Sequence, residues 1–119
     1  AAFKMPKSND DEISVRRTAI RSATLKATEK PYETAELALM LLKLLPDLAS
    51  KGNANAVSDV GVAGLLASAA CKGALFNVDI NLGSLPEDYA SDIRKNAPVI
   101  QDECRLLSRK VMDAVRERL

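Results

Sequence analysis

From Val57 to Leu82 the chain has almost no polar face. Val57, Val60, Val62, Leu65, Leu66, Leu75, Phe76, Val78 and Ile80 fall on every side of a 3.6-residue period. A helix of this composition is buried on most sides, so it must lie at the centre of whatever the chain folds into. Gly61, Gly64, Ala67, Ser68 and Gly73 keep parts of it thin. Each internal glycine costs roughly 1 kcal/mol of helix propensity against alanine, and close packing of neighbouring backbones is expected to offset that. The uncharged run Val60 to Cys71 is shorter than the roughly 20 residues of a membrane span. A buried core helix is therefore expected, with no membrane partner.

The other segments also read as helices. Ser8 or Asn9 can cap a first helix, with Asp10, Asp11 and Glu12 placing negative charge in its first turn. Ile13, Ile20 and Ala27 give it one face to about Glu29. Pro31 is expected to restart the chain. A second helix then runs from Tyr32 to about Ser50, with Leu37, Leu41, Leu44, Leu45 and Leu48 as its apolar stripe. Pro46 should kink that helix, and Gly52 should end it. The central helix follows from Asn53 or Asn55 to about Leu82. A last helix opens at Ser84-Leu-Pro-Glu87, with Ile93, Ala97, Ile100, Cys104, Leu107, Val111, Ala114 and Val115 as its apolar face and Pro98 bending it early. No segment alternates with period two. The expected class is all-α, a single domain over residues 1–119. It would be a bundle of four long helices, three of them packed around the central apolar one. Three partners hardly cover so long an apolar rod, so a further partner is expected, either additional N-terminal helices or another subunit. The chain opens without a methionine, which fits a segment of a longer protein.

Composition removes several functions. The chain has 119 residues, with 17 Lys+Arg against 16 Asp+Glu, so no bulk positive charge supports nucleic-acid binding. Aromatics are 3%, too few for stacking bases. Histidine is absent, which removes the commonest general base and metal ligand. No residue set suggests a metal site. Cys71 and Cys104 lie far apart in sequence and match no zinc or redox spacing. They are expected to be packed, reduced thiols of a cytoplasmic protein.

One stretch concentrates polar groups, Lys51-Gly-Asn-Ala-Asn-Ala-Val-Ser-Asp59. A helix start presents unpaired N–H groups and a partial positive charge. Asn53, Asn55, Ser58 and Asp59 can simply cap and stabilise the helix. They can equally meet a ligand, the amides pairing with a heterocyclic amide edge and Ser58 with a polar or carboxylate group. Both readings can hold together. Asn77, Asp79 and Asn81 interrupt an apolar helix end at every second position. They either face solvent or bond to a neighbouring chain or a ligand tail. Lys4 and Lys7 flank Met5-Pro6, where a lysine is either solvated or held for a carboxylate.

Three stretches together carry a resemblance. They are Ala2-Phe-Lys-Met-Pro-Lys7, Lys51-Gly-Asn-Ala-Asn-Ala-Val-Ser-Asp-Val-Gly-Val-Ala63 and Gly73-Ala-Leu-Phe-Asn-Val-Asp-Ile-Asn-Leu82. In this order and spacing the chain resembles the cyclodeaminase/cyclohydrolase family of folate enzymes. That family includes the C-terminal domain of formimidoyltransferase-cyclodeaminase and stand-alone bacterial methenyltetrahydrofolate cyclohydrolases. The Gly-Asn-x-Asn-x-x-Ser-Asp-x-Gly-Val-Ala stretch is the most specific part. The resemblance implies an all-helical homodimer holding a reduced folate in a cleft near the subunit interface.

The cyclodeaminase closes 5-formiminotetrahydrofolate to 5,10-methenyltetrahydrofolate with loss of ammonia. The cyclohydrolase opens the methenyl ring with water to give 10-formyltetrahydrofolate. Neither requires a prosthetic group; a tetrahydrofolate derivative enters as substrate. The resemblance places Asn53, Asn55, Ser58 and Asp59 in the cleft, with Lys4 a further substrate-binding candidate. The family begins with a proline- and glycine-rich loop and two further helices. Its catalytic aspartate is expected upstream of the position matching Ala1. A non-catalytic helical assembly domain is the competing expectation.

Overall fold

The computed structural model describes residues 1–119 and contains three long helices, not four. A 3₁₀ turn at Ala2–Lys4 precedes α1, Asp10–Lys51, which has 42 residues. A second 3₁₀ turn, Ala54–Ala56, leads into α2, Val57–Gly83, and α3 spans Ser91–Arg118. Asn9 is the residue that caps α1. Its Oδ1 accepts the Glu12 N–H at 2.9 Å, and the Glu12 carboxylate accepts from the Ser8 N–H at 3.1 Å. This reciprocal arrangement satisfies two donors at once.

The expected break at Pro31 does not occur, because α1 runs through both Pro31 and Pro46. A proline inside a helix has no N–H for the carbonyl four residues earlier. For Pro31 that carbonyl belongs to Ala27, and it accepts instead from Asn81 Nδ2 on α2, 3.2 Å away. A side chain 54 residues later thus supplies the bond that proline removes. Asn81 is accounted for by this contact within the chain, which requires neither a ligand tail nor a second subunit. Aspartate at position 81 cannot donate. Asn81→Asp should lower stability by about 1 kcal/mol in urea denaturation, the net worth of one such bond; an unchanged midpoint would mean that the bond contributes nothing.

The inward face of α1 also differs from expectation. Leu45 is buried as expected, but Leu37, Leu41, Leu44 and Leu48 point outward, Leu37 being 64% exposed. The core side of α1 is instead Ala35, Ala38, Leu39, Leu42, Leu45 and Ala49. Both sets follow helical spacing, so this half of α1 is apolar on two faces. The face with three alanines is the one that lets α2 approach. Upstream of Thr28, α1 buries no residue, and Ile13 and Ala27 are exposed. Fifteen more residues than α2 make α1 about 22 Å longer. Its N-terminal part therefore extends along a molecule measuring 67 × 23 × 14 Å. The Phe3 and Tyr89 rings lie against it at Arg16 and Arg21.

Small residues on α2 meet α3 where expected at two positions. A Cβ at Gly64 would lie 2.9 Å from Val111 Cγ1, and one at Gly61 would lie 3.3 Å from Val115 Cγ1. Gly73 departs from this: it is exposed, with nothing within 4 Å of where its Cβ would be. The expected face of α3 holds, with Ala97, Ile100, Cys104, Val111 and Val115 buried. Its start does not. The helix begins at Ser91, and Pro98 does not interrupt it.

Residues 84–90 form a turn held by Arg94. Its Nε donates to the Tyr89 carbonyl at 2.8 Å, and its Nη2 to the carbonyls of Leu82, Leu85 and Pro86 at 3.0–3.1 Å. These bonds satisfy carbonyls left open at the end of α2. Ala90, the residue before α3, takes the left-handed φ of 57°.

Twenty buried residues, from all three helices and Leu85, form one continuous core. α2 remains undercovered, as its composition predicted. Val62, Leu65, Leu66, Phe76 and Ile80 form an outward stripe, each more than half exposed. The helical stretch Ala54–Gly83 has 30 residues and an 18-residue window of mean hydropathy 1.4. By length and composition alone that suffices to cross a membrane, more than the uncharged run suggested. The opposite face of α2 packs on α1 and α3, as in the core helix of a bundle.

Candidate functional site

Gly52 sets the geometry of the polar turn. It ends α1 in extended backbone, φ −73° and ψ −177°, and its N–H donates to the Leu48 carbonyl at 2.8 Å. A Cβ there would lie 2.5 Å from that same carbonyl oxygen. Glycine is thus required by close approach and not by a left-handed conformation. The chain then passes through Asn53, whose Oδ1 accepts the Asn55 N–H at 2.9 Å and caps the 3₁₀ turn. α2 itself begins at Val57 without a side-chain cap, so the capping reading holds for Asn53 at the turn. Asp59 lies in the first turn of α2, where the exposed N–H groups favour a negative charge.

Arg118 closes the turn from the far end of α3. Its Nη1 donates to the Ala49 carbonyl at 2.9 Å and to the Gly52 carbonyl at 2.8 Å. The sequence carries no local signal for this role, since the partners are 66 and 69 residues away.

Asn53 and Asp59 face one cleft of 370 Å³, walled by Leu45, Leu48, Val60 and Ala63 and floored by Gly52 and Ala56. The Asp59 carboxylate belongs to none of the three ion pairs in the chain. With its Oδ1 engaged, Asn53 keeps its NH₂ for a ligand. The cleft therefore offers a carboxylate and an amide at one end of an apolar wall. Asn55 and Ser58 are exposed beside this cleft but do not line it. Lys4 is remote. The Phe3 carbonyl accepts from Arg16 Nη2 at 3.3 Å, which anchors the Lys4 turn near the start of α1. Arg16 and Lys51 are separated by 35 helical residues, roughly 50 Å. Within one chain Lys4 cannot join Asn53 and Asp59. No group of three His, Cys, Asp or Glu side chains is gathered to hold a metal ion.

The two thiols, distant in sequence, are buried neighbours in the core between α2 and α3. Burial, reinforced by Cys71, pushes the Cys104 thiol from its ordinary 9.0 up to about 12. Below the unfolded value the thiol is neutral in both states. Above it, the unfolded chain ionises while the folded chain does not. Stability should therefore fall as pH rises from about 9 toward 12. A Cys104→Ala variant should lose stability less steeply over that range in urea denaturation; an equal slope would contradict the thiol's part.

The sequence profile of the family described as formiminotransferase-cyclodeaminase matches residues 1–98. The chain is 29% identical over 119 residues to a methenyltetrahydrofolate cyclohydrolase of Methylorubrum extorquens, covering 99% of this chain and 57% of that protein. It is 34% identical over 87 residues to a formimidoyltransferase-cyclodeaminase of Rattus norvegicus, covering 73% of this chain and 16% of the relative. Against the corresponding protein of Sus scrofa it is 29% identical over 118 residues, covering 98% of this chain and 22% of the relative. The chain thus spans little more than half of the bacterial relative and under a quarter of the mammalian ones. With a profile match that includes the Gly52–Asp59 turn and both helices walling the cleft, the chain belongs to the formiminotransferase-cyclodeaminase family.

Proposed function

We propose that the Asn53–Asp59 cleft is part of a reduced-folate site, and that the intact protein closes 5-formiminotetrahydrofolate to 5,10-methenyltetrahydrofolate with release of ammonia. The observation that carries this reading is the cleft itself. An unpaired carboxylate and a free amide stand at the end of an apolar wall, within the stretch that most resembles the family. A pterin is a flat ring with a donor-rich edge. Asp59 accepts its N–H groups or orients a water, Asn53 donates to a ring carbonyl, and Leu45, Leu48 and Val60 cover the ring face. Asn55 and Ser58 hold the part of the ligand that projects outward. Lys4 contributes only from a second copy of the chain, which fits a homodimeric site. The group that moves the proton is an aspartate outside residues 1–119.

The substrate is a tetrahydrofolate derivative, with no prosthetic group. The adjacent reduced thiols support a cytoplasmic location.

Hydrolysis of the methenyl ring to 10-formyltetrahydrofolate is the second reading, supported by the match to a cyclohydrolase over 99% of this chain and 57% of that protein. The intact protein supplied with 5-formiminotetrahydrofolate should release ammonia as methenyl absorbance appears. Loss of methenyl absorbance from added methenyltetrahydrofolate, without ammonia release in the first assay, would replace the first reaction with the second. Neither activity would favour a non-catalytic assembly domain.

A further inference from the structure

We propose that the trough between α2 and α3, lined by Ser68, Lys72, Arg105, Ser108, Arg109 and Arg116, binds a small ligand carrying clustered phosphate groups. The trough has a volume of 320 Å³. Arg105, Arg109 and Arg116 follow one another along one side of α3, and Lys72 faces them from α2. Asp113 is the one carboxylate in the lining, and Met112 the one apolar side chain. The only ion pair made by these cations is between Arg105 and Asp102, at 3.8 Å and largely in solvent. In a chain of net charge +1, four cations against one carboxylate is a strong local excess. Like charges one turn apart oppose folding, and a polyanion would reverse that.

Ser68 is the second observation. It is 8% exposed and lines the trough. The helical hydroxyls of Thr18, Thr28, Thr34 and Ser50 each donate to the carbonyl four residues back. Ser68 makes no such bond, so its hydroxyl remains available beside the cations. The hydroxyl is not sealed from solvent, since Arg16 Nε is the one buried side-chain polar atom without a partner, so it is open to a ligand in the trough.

Phosphate fits this donor set. Guanidinium groups engage two phosphate oxygens at once, and serine hydroxyls add single donors. A lining with one apolar side chain and no aromatic offers nothing to a nucleobase, so a compact di- or triphosphate is the matching class. The trough is separate from the Asn53–Asp59 cleft. Ser68 follows Asp59 by two and a half turns, about 14 Å, which puts it on the opposite face of α2. The inference therefore does not depend on the folate reading.

Isothermal titration of the intact protein at low ionic strength tests it, with inorganic pyrophosphate as the probe, citrate as a polycarboxylate and sulfate at matched ionic strength. Pyrophosphate should bind with one-to-one stoichiometry and about tenfold or more tighter than citrate or sulfate. Arg109→Ala should weaken it about tenfold, the loss of one charge-assisted pair. Arg109→Lys should restore only part of that, and Ser68→Ala should weaken binding severalfold. Asp59→Ala should leave it unchanged. Circular dichroism of each variant reports that the helices are intact. Absent heat, equal affinity for the three anions, or unaltered binding by folded Arg109→Ala would each overturn the proposal.

Discussion

Leucine at position 64 should cost the folded chain about 3 kcal/mol or more, at the upper end of what overpacking does to a core. The first added atom already decides the sign. A Cβ at Gly64 comes within 2.9 Å of Val111 Cγ1, and Leu45 Cδ1 closes the other side at 3.9 Å. Val111 is fully buried and β-branched, so it cannot swing aside. The leucine must therefore push α2 away from α3, which also opens the contacts at Gly61 and Cys71. Gly73 supplies the control on the same helix. Nothing lies within 4 Å of its missing Cβ, so Gly73→Ala should gain about 1 kcal/mol of helix propensity. Urea midpoints moving in opposite directions would support this interface; a neutral Gly64→Leu would mean that α2 and α3 pack in another register.

The 119-residue chain on its own should associate, and Leu65→Glu with Phe76→Glu should convert it to a monomer. Ten large apolar side chains stand on two outward stripes, Leu37, Met40, Leu41, Leu44 and Leu48 on α1 and Val62, Leu65, Leu66, Phe76 and Ile80 on α2. Covering each in part supplies roughly 1 kcal/mol, against 1.5–3 for complete burial. The total is of the order of 10 kcal/mol, comparable with the cost of association. Both substituted positions are more than half exposed, so glutamate there leaves the core untouched. Sedimentation should show a concentration-dependent mass for the parent chain and a single monomer mass for the double variant. A monodisperse parent that melts cooperatively as a monomer would contradict the undercovered helix.

The all-helical class was legible because periodicity is local, and so were α2 and the face of α3. What was not legible depended on partners distant in sequence. Pro31 marks a break by its own chemistry, but Asn81 donates to the Ala27 carbonyl and lets α1 continue. Leu37, Leu41, Leu44 and Leu48 form as regular a stripe as the buried set, and only the approach of α2 selects the alanine-bearing face. The start of α3 moved to Ser91 because Arg94 bonds four carbonyls of the preceding turn. At the cleft, the sequence concentrated Asn53 and Asp59 in one short polar stretch, and they share a cavity. Asn55 and Ser58 are adjacent in sequence yet face solvent, since a 3₁₀ turn intervenes between cap and helix. Lys4 fails for a different reason, the length of α1.

The cleft of Asn53 and Asp59 is proposed as the seat of a reduced folate. Equilibrium titration of folinic acid into the intact protein and into its Asp59→Ala variant tests it most directly. Loss of a carboxylate that accepts ligand N–H groups should weaken binding about tenfold or more, with circular dichroism unchanged. Equal affinity in the two proteins would remove Asp59 from the site and contradict the account.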